Sequence, residues 1–400
     1  MDRRTFSKLL SLLMISSNHA LAAVNKREKI IVIGAGIIGT SIAYELSKMG
    51  AQVTLIDQKF PGSAASGSTF SWINATYPKK PYPYNFLSQL GIDAYKSLEK
   101  EINLKIKWGG SLEWFDSDEE QTNLMNEVNN LKKYPRYSAV DVINEREART
   151  LEPGIDFKNK NIVFSRADGA IDTIHAINLM IENIEFNGGS VLYPCQFQGL
   201  KYTNGRLSSV ETTIGELEAH QAIFATGIDS GRLLSIDMMK PSTPGIIVTS
   251  KPTENILNRI IVGPGVHIHQ QTDGRIIFGE QTGAPSSHID RLSDKPKEFP
   301  SEIFAQDHTN RIFDTAKTFM KKVEDLKVER VSIGWRPLPR DGRPIIGRPE
   351  GLSDIYVAVM HSGVSLAAIV GKLVSEEILS GSTNLLLKDF RPSRFNRYLL

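Results

Sequence analysis

The chain has one cysteine, Cys195. That excludes an intrachain disulfide and any cysteine metal cluster. Net charge is also nearly missing: 47 lysines and arginines face 45 acids, a formal +2. No basic tract carries interleaved aromatics, so nothing points to nucleic acid. Past the N-terminus, no apolar run is long enough to span a bilayer as a helix. What remains is 400 residues, 40% hydrophobic and 23% charged. That is enough for a large core and for more than one domain. Cys195 itself reads as a packed strand residue.

Residues 1–22 read as a leader. A charged start, an apolar stretch from Leu9 to Ile15 and small residues at Ala20 and Ala22 have the layout of a secretory signal. Arg3 and Arg4, followed by Thr5 and Phe6, resemble the bacterial twin-arginine export signal. That route carries folded proteins, which suits one that must first hold a cofactor. The expectation is a signal peptide over 1–22 and a periplasmic mature chain.

"KIIVIGAGIIGTSIAYELSKMGAQVTLID" runs from Lys29 to Asp57. An apolar strand leads into Gly34, Gly36 and Gly39, spaced G-x-G-x-x-G. A helical pattern opening with Ile37 and Ile38 follows, then a second apolar strand ending at Asp57. Each part serves a dinucleotide. Gly34 permits the tight turn after which Ala35 follows. Gly36 lets a pyrophosphate approach the backbone, and Gly39 lets the helix pack on the strand. The helix start offers free N–H groups to phosphate. Asp57, with Gln58 beside it, is placed to accept hydrogen bonds from a ribose. The motif alone leaves both FAD and NAD open.

The middle of the chain is less marked. "GSAASGSTFSWINA", Gly62 to Ala75, reads as a loop that can wrap a ligand. Leu87 to Glu101 and Asp116 to Lys133 have helical spacing. A buried strand at Ala222–Thr226 ends at Gly227, where a ligand can approach the backbone. "VHIHQQTDGRIIFGE" reads as a hairpin turning at Asp273-Gly274. Its alternation puts His267 and His269 on one face. With no third ligand in the pattern, no metal is expected there. "GWRPLPRDGRPIIG" places Arg336, Arg340 and Arg343 among turn and core residues. "HSGVSLAA" is a short polar turn opening a helix at about Val364.

Taken in order, seven segments resemble the D-amino-acid oxidase-like FAD-dependent oxidoreductases, relatives of glycine oxidase, sarcosine oxidase and D-amino-acid dehydrogenase. They are "VIGAGIIGTSIAYELSKMGAQVTLID", "GSAASGSTFSWIN", "LEPGI", "ADGAIDT", "ATGIDS", "GWRPLPRDGRPIIG" and "HSGVSLAA". The resemblance implies an α/β protein with a Rossmann-like FAD-binding domain and a second α+β substrate domain built on an antiparallel sheet. The FAD domain would be discontinuous, over 29–85, 150–235 and 330–400, and the substrate domain would take 86–149 and 236–329. The loop with Ser66, Ser68 and Thr69 would run along the pyrophosphate and ring. Phe197 would touch the adenine end. Gly342 and the turn at His361, Ser362, Gly363, Val364 and Ser365 would flank the isoalloxazine. Arg336 would pair with a substrate carboxylate, His267 would form a wall or accept a proton, and His361 would line the site. The implied activity is oxidation of an amine or α-amino acid by non-covalent FAD, with oxygen or a quinone as acceptor. Two alternatives stand beside it: a nicotinamide-dependent dehydrogenase, and a flavin-binding protein without amine turnover.

Overall fold

A computed structural model describes residues 28–75, 79–135, 140–241, 244–280 and 301–398. The expected leader, 1–22, lies outside the described residues. Among the described residues no helix is long and apolar enough to cross a membrane.

The strand Lys29–Ile33 is apolar throughout, and such strands need both faces covered. It sits inside a six-stranded sheet ordered Ile345–Gly347, Ile355–Val359, Gln221–Phe224, Lys29–Ile33, Gln52–Ile56, Ser190–Leu192. All neighbours pair in parallel except Ile345–Gly347. One face buries Ile30, Val32, Val53 and Leu55 against helices Ile37–Lys48, Tyr82–Ile102, Thr173–Phe186 and Gly363–Ser380. The other buries Ile31, Ile33 and Phe224 under a three-stranded antiparallel sheet spanning Phe197–Thr203, Arg206–Thr212 and Gly215–Glu218.

A second sheet has eight strands: Val328–Trp335, Pro244–Ser250, Ile276–Glu280, Val266–Gln270, Ile260–Gly263, Ser111–Glu113, Asn161–Ser165 and Val140–Asn144. Only Ile260–Gly263 and Ser111–Glu113 pair in parallel. Its outer face packs Ile268, Ile276 and Phe278 with Ile312 and Ala316 of helix Glu302–Lys317. Its inner face carries Ile260 and Val262 toward Phe70, Trp72 and Ala170. The α/β class and the pair of sheets are as the sequence predicts. So is the hairpin, whose turn closes through Gln271 N–H to the Arg275 carbonyl at 2.8 Å.

Three segments pair differently from the expected domain spans. Asn161–Ser165, placed in the FAD-binding span 150–235, is a strand of the eight-stranded sheet, hydrogen-bonded to Ser111–Glu113 and Val140–Asn144. Val328–Trp335 likewise pairs with Pro244–Ser250. Helix Tyr82–Ile102, most of it placed in the substrate domain, turns Tyr84, Leu87, Ile92, Tyr95 and Leu98 into the core under the six-stranded sheet. Its apolar stripe is wide, and the helix Gly363–Ser380 supplies the matching face. Cys195 is buried, but in the connection between Ser190–Leu192 and Phe197–Thr203 rather than in a strand.

Candidate active site

The two neighbours of Lys29–Ile33 lead away on opposite sides, so a crevice opens at its C-terminal end. There Gly34 has φ +102, and a Cβ on it would lie 2.6 Å from the Ala225 carbonyl oxygen. A Cβ on Gly39 would lie 1.9 Å from the Gly34 carbonyl oxygen. Only glycine lets strand and helix approach so closely. At the helix start, Gly36 offers no side-chain cap. The Ile37 N–H donates to Ser66 Oγ at 3.0 Å, and the Ala35 N–H to Asp57 Oδ2 at 2.9 Å. Asp57 Oδ1 also accepts from the Lys59 N–H. A carboxylate has about four acceptor positions, so Asp57 braces the turn and can still accept from a ribose. Gln58 beside it is exposed. Gly227, with φ +57, has no atom within 4 Å of its Cβ position. Glycines where a side chain would clash, a helix start and a spare carboxylate together fit a dinucleotide. Phe197 packs its ring edge-on to Phe224 at 5.1 Å. Its segment is held near Asp57 by the Cys195 N–H, which donates to the Asp57 carbonyl at 2.6 Å.

The loop after this crevice ties the domains together. A Cβ on Gly334 would meet the Ser68 carbonyl oxygen at 2.3 Å, so the loop lies directly on strand Val328–Trp335. Thr69 Oγ1 accepts from the Ser71 N–H within the loop. Ser365 Oγ donates to the Trp72 carbonyl at 3.0 Å and accepts from the Asn74 N–H at 3.1 Å. Tyr95 donates to the Val364 carbonyl at 2.7 Å. Ser362, just before Gly363, makes no side-chain cap; Tyr84 donates to its Oγ at 2.7 Å instead. The first N–H groups of helix Gly363–Ser380 therefore lack a side-chain cap, and a helix start favours negative charge. Gly342 has φ +74 in its turn with open space on its Cβ side.

On the sheet side, His267 and His269 share the face that meets Phe70, with ring centroids 5.4 and 4.8 Å away. His269 Nε2 lies 2.7 Å from the Phe70 carbonyl, so Nε2 carries the proton. Burial pushes both imidazoles down to about 4, so they are neutral near pH 7. His267 also meets the Trp72 ring at 5.8 Å. Arg336 is half-buried just past Val328–Trp335 and donates through Nη2 to the Pro244 carbonyl at 3.3 Å. Burial pulls its pKa down, and Glu280 opposes this. Arg340 pairs with Asp237, while Arg343 and Arg394 pair with Asp341. Arg340 and Arg343 are thus turn arginines with partners of their own. His361 is reached by solvent yet recessed among protein atoms. It is pushed down to about 4, first by burial and then by Arg336, Lys79 and Lys240.

Arg336 and His361 thus share one electrostatic neighbourhood at the start of helix Gly363–Ser380. No described hydrogen bond or ion pair joins His267 to either; it sits farther along, against Phe70 and Trp72. Three groups carried no signal in the sequence. Lys79 is buried, and burial brings it down to about 7. Asp168 is fully buried and accepts from Trp72 Nε1 at 3.0 Å and Ser111 Oγ at 2.8 Å. Glu113 is pushed up to about 8 by burial, with Asp168 adding to it. Asp168 lies inside "ADGAIDT", but nothing local in that string marks a buried acid.

The family described as FAD dependent oxidoreductase (DAO) matches residues 29–377. A glycine oxidase of Bacillus licheniformis is 24% identical, over 89% of this chain and 94% of that protein. A glycine oxidase of Pseudomonas aeruginosa is 23% identical, over 88% of this chain and 95% of its own length. Among solved structures, an L-proline dehydrogenase from P. horikoshii superposes with a TM-score of 0.78 at 23% identity, covering 93% of this chain and 99% of that one. At that identity the likeness establishes the fold.

Proposed function

This chain belongs to the DAO family of FAD-dependent oxidoreductases, and from that premise we propose that it oxidises an amine, in particular an α-amino acid, to an imine that water hydrolyses. FAD therefore takes the place that the glycine motif alone left open to NAD. Held by the turn at Gly34–Gly39 and by Asp57, FAD would supply the two-electron oxidation of the amine. The observation that carries the reading is Arg336, a half-buried arginine that acts electrostatically on His361, two residues before the helix Gly363–Ser380. A guanidinium meets a carboxylate in two parallel hydrogen bonds, which fixes orientation as well as affinity. That pairing would aim the α-hydrogen, and orientation supplies much of the rate.

His361 and His267 act as neutral imidazoles. His361 offers a hydrogen bond to the substrate amine, and His267 with Phe70 and Trp72 forms an aromatic wall. The nitrogen gives up one proton as the α-carbon loses its hydride, leaving the imine. Cys195 is buried beside the Asp57 end of the cradle, so FAD is held without a thioether link. Export to the periplasm by the twin-arginine route completes the proposal; Arg3→Lys with Arg4→Lys should leave the protein in the cytoplasm on cell fractionation. Activity is tested by product: turnover should yield a 2-oxo acid, with ammonia from a primary amine and an amino group still bonded to carbon from a secondary one. Purified FAD-loaded protein that yields neither from any amino acid, glycine or proline contradicts the proposal.

A further inference from the structure

Resting on that reading, we infer that the amino acid oxidised here carries a cationic side chain, of the lysine or ornithine kind, and that Glu113 holds its distal ammonium. Val262 pairs with His267 on one side and with Glu113 on the other. The three residues therefore form one row of the eight-stranded sheet, and all point to its inner face. Two strand spacings separate His267 from Glu113, about 10 Å. The span between them is apolar: Val262 packs under Phe70 and Trp72, and both rings keep part of their surface open. His267 meets the same two rings at 5.4 and 5.8 Å. An α-carbon touching the His267 ring lies about 4 Å from it. A lysine side chain adds about 6 Å, which together cover the span.

Glu113 is 7% exposed, and its carboxyl makes no hydrogen bond or ion pair among the described residues. Its neighbours in register, Val262 and Val163, are apolar. Ser111, two residues back on the same face, donates to Asp168 instead. Among the described residues Asp168 is the one charged group that acts on Glu113, and it has the same sign. The buried Lys79 donates elsewhere, to the Asn74 carbonyl at 2.6 Å. A buried carboxyl without a partner costs stability and gives the fold nothing back. An arriving ammonium supplies the missing partner. Burial, with Asp168, raises the acid to about 8, so near pH 7 the ammonium binds by displacing its proton. Glycine or an aliphatic amino acid leaves Glu113 as it was.

The test uses FAD-loaded protein and two ligands without an α-amine. One is 6-aminohexanoate, which is lysine lacking that group; the other is hexanoate, which lacks the distal charge as well. Titration followed by the flavin spectrum should show 6-aminohexanoate at least about 10-fold tighter. Glu113→Gln, which matches the neutral acid in shape, should abolish that preference. A second readout needs no variant. At pH 7, binding of 6-aminohexanoate should release about one proton into a weakly buffered dye solution, and hexanoate none. Equal affinities, a preference that survives Glu113→Gln, or 6-aminohexanoate binding without proton release overturns the inference. In turnover, the ratio of kcat/KM for lysine or ornithine to that for norleucine should drop on the order of 10-fold in Glu113→Gln. A structural role would lower Tm in that variant and leave the ratio unmoved. If no amine is oxidised but the preference and the proton release hold, the amine-oxidation reading fails and the cation site stands. If wild type oxidises norleucine as efficiently as lysine and ornithine, the oxidation reading stands and the cation site fails.

Discussion

Replacing Arg336 by alanine removes the group the account depends on most. Arg336 is partly desolvated, anchored by Nη2 on the Pro244 carbonyl at 3.3 Å, and sits beside Gly245, whose Cβ position is 4.0 Å from Arg336 Cδ and Nε. The stem is thus fixed, and partial burial leaves its charge poorly screened. Leaving a substrate carboxylate there without its partner costs about 3–5 kcal/mol. At 1.36 kcal/mol per decade, kcat/KM should fall roughly 10²- to 5 × 10³-fold. Arg336→Lys keeps the charge and loses the fork, so it should recover part of the loss and still fall about 10-fold short. Anaerobic rapid mixing with the best amino acid, followed at the flavin band, measures both. FAD content must stay at the wild-type level, because the cradle at Gly34–Gly39 follows strand Lys29–Ile33 of the other sheet. An Arg336→Ala protein with unchanged kcat/KM refutes the carboxylate clamp. One that loses FAD as well shows a structural arginine instead.

Other outcomes follow from the same geometry. Gly39→Ala puts a Cβ 1.9 Å from a backbone oxygen that cannot step aside; overpacking of about 1–3 kcal/mol should weaken FAD retention at least 5-fold on gel filtration. Tyr84→Phe removes the bond to Ser362 and should cost about 1 kcal/mol of stability, read as a lower Tm with FAD still bound. His269 is held at about 4 when folded, against its ordinary 6.5. The folded state therefore binds fewer protons between those values, and stability present above pH 6.5 is lost as pH falls through 4. His269→Gln should flatten the melting temperature across that window relative to wild type; an identical slope contradicts the burial argument. Glu113, raised to about 8, works in the opposite sense, losing stability as pH rises from about 4.5 to 8, so the comparison must be made between variant and parent.

What the sequence showed was what repeats locally. Strand, glycines, helix and acid from Lys29 to Asp57 are contiguous, and each has a fixed offset set by the turn and the phosphate. The hairpin at Val266–Glu280 and the helix starting at Gly363 were equally plain, because alternation and a glycine turn are short-range signals. The sheet that takes Asn161–Ser165 was not legible, since its three apolar residues fit any buried strand and its partners at Ser111 and Val140 are distant in sequence. Lys79 and Asp168 stayed hidden for a similar reason. A lysine between prolines and an acid before a glycine look like surface residues until tertiary packing buries them. The histidine pair was legible as a shared face, but not as a face pressed on Phe70.

The most direct test of the central claim is anaerobic mixing of the purified, FAD-loaded protein with D- and L-amino acids, glycine, sarcosine, proline and iminodiacetate, following flavin absorbance. Bleaching by at least one α-amino acid is expected, and loss of that bleaching in Arg336→Ala. A yellow protein that none of these compounds bleaches contradicts it.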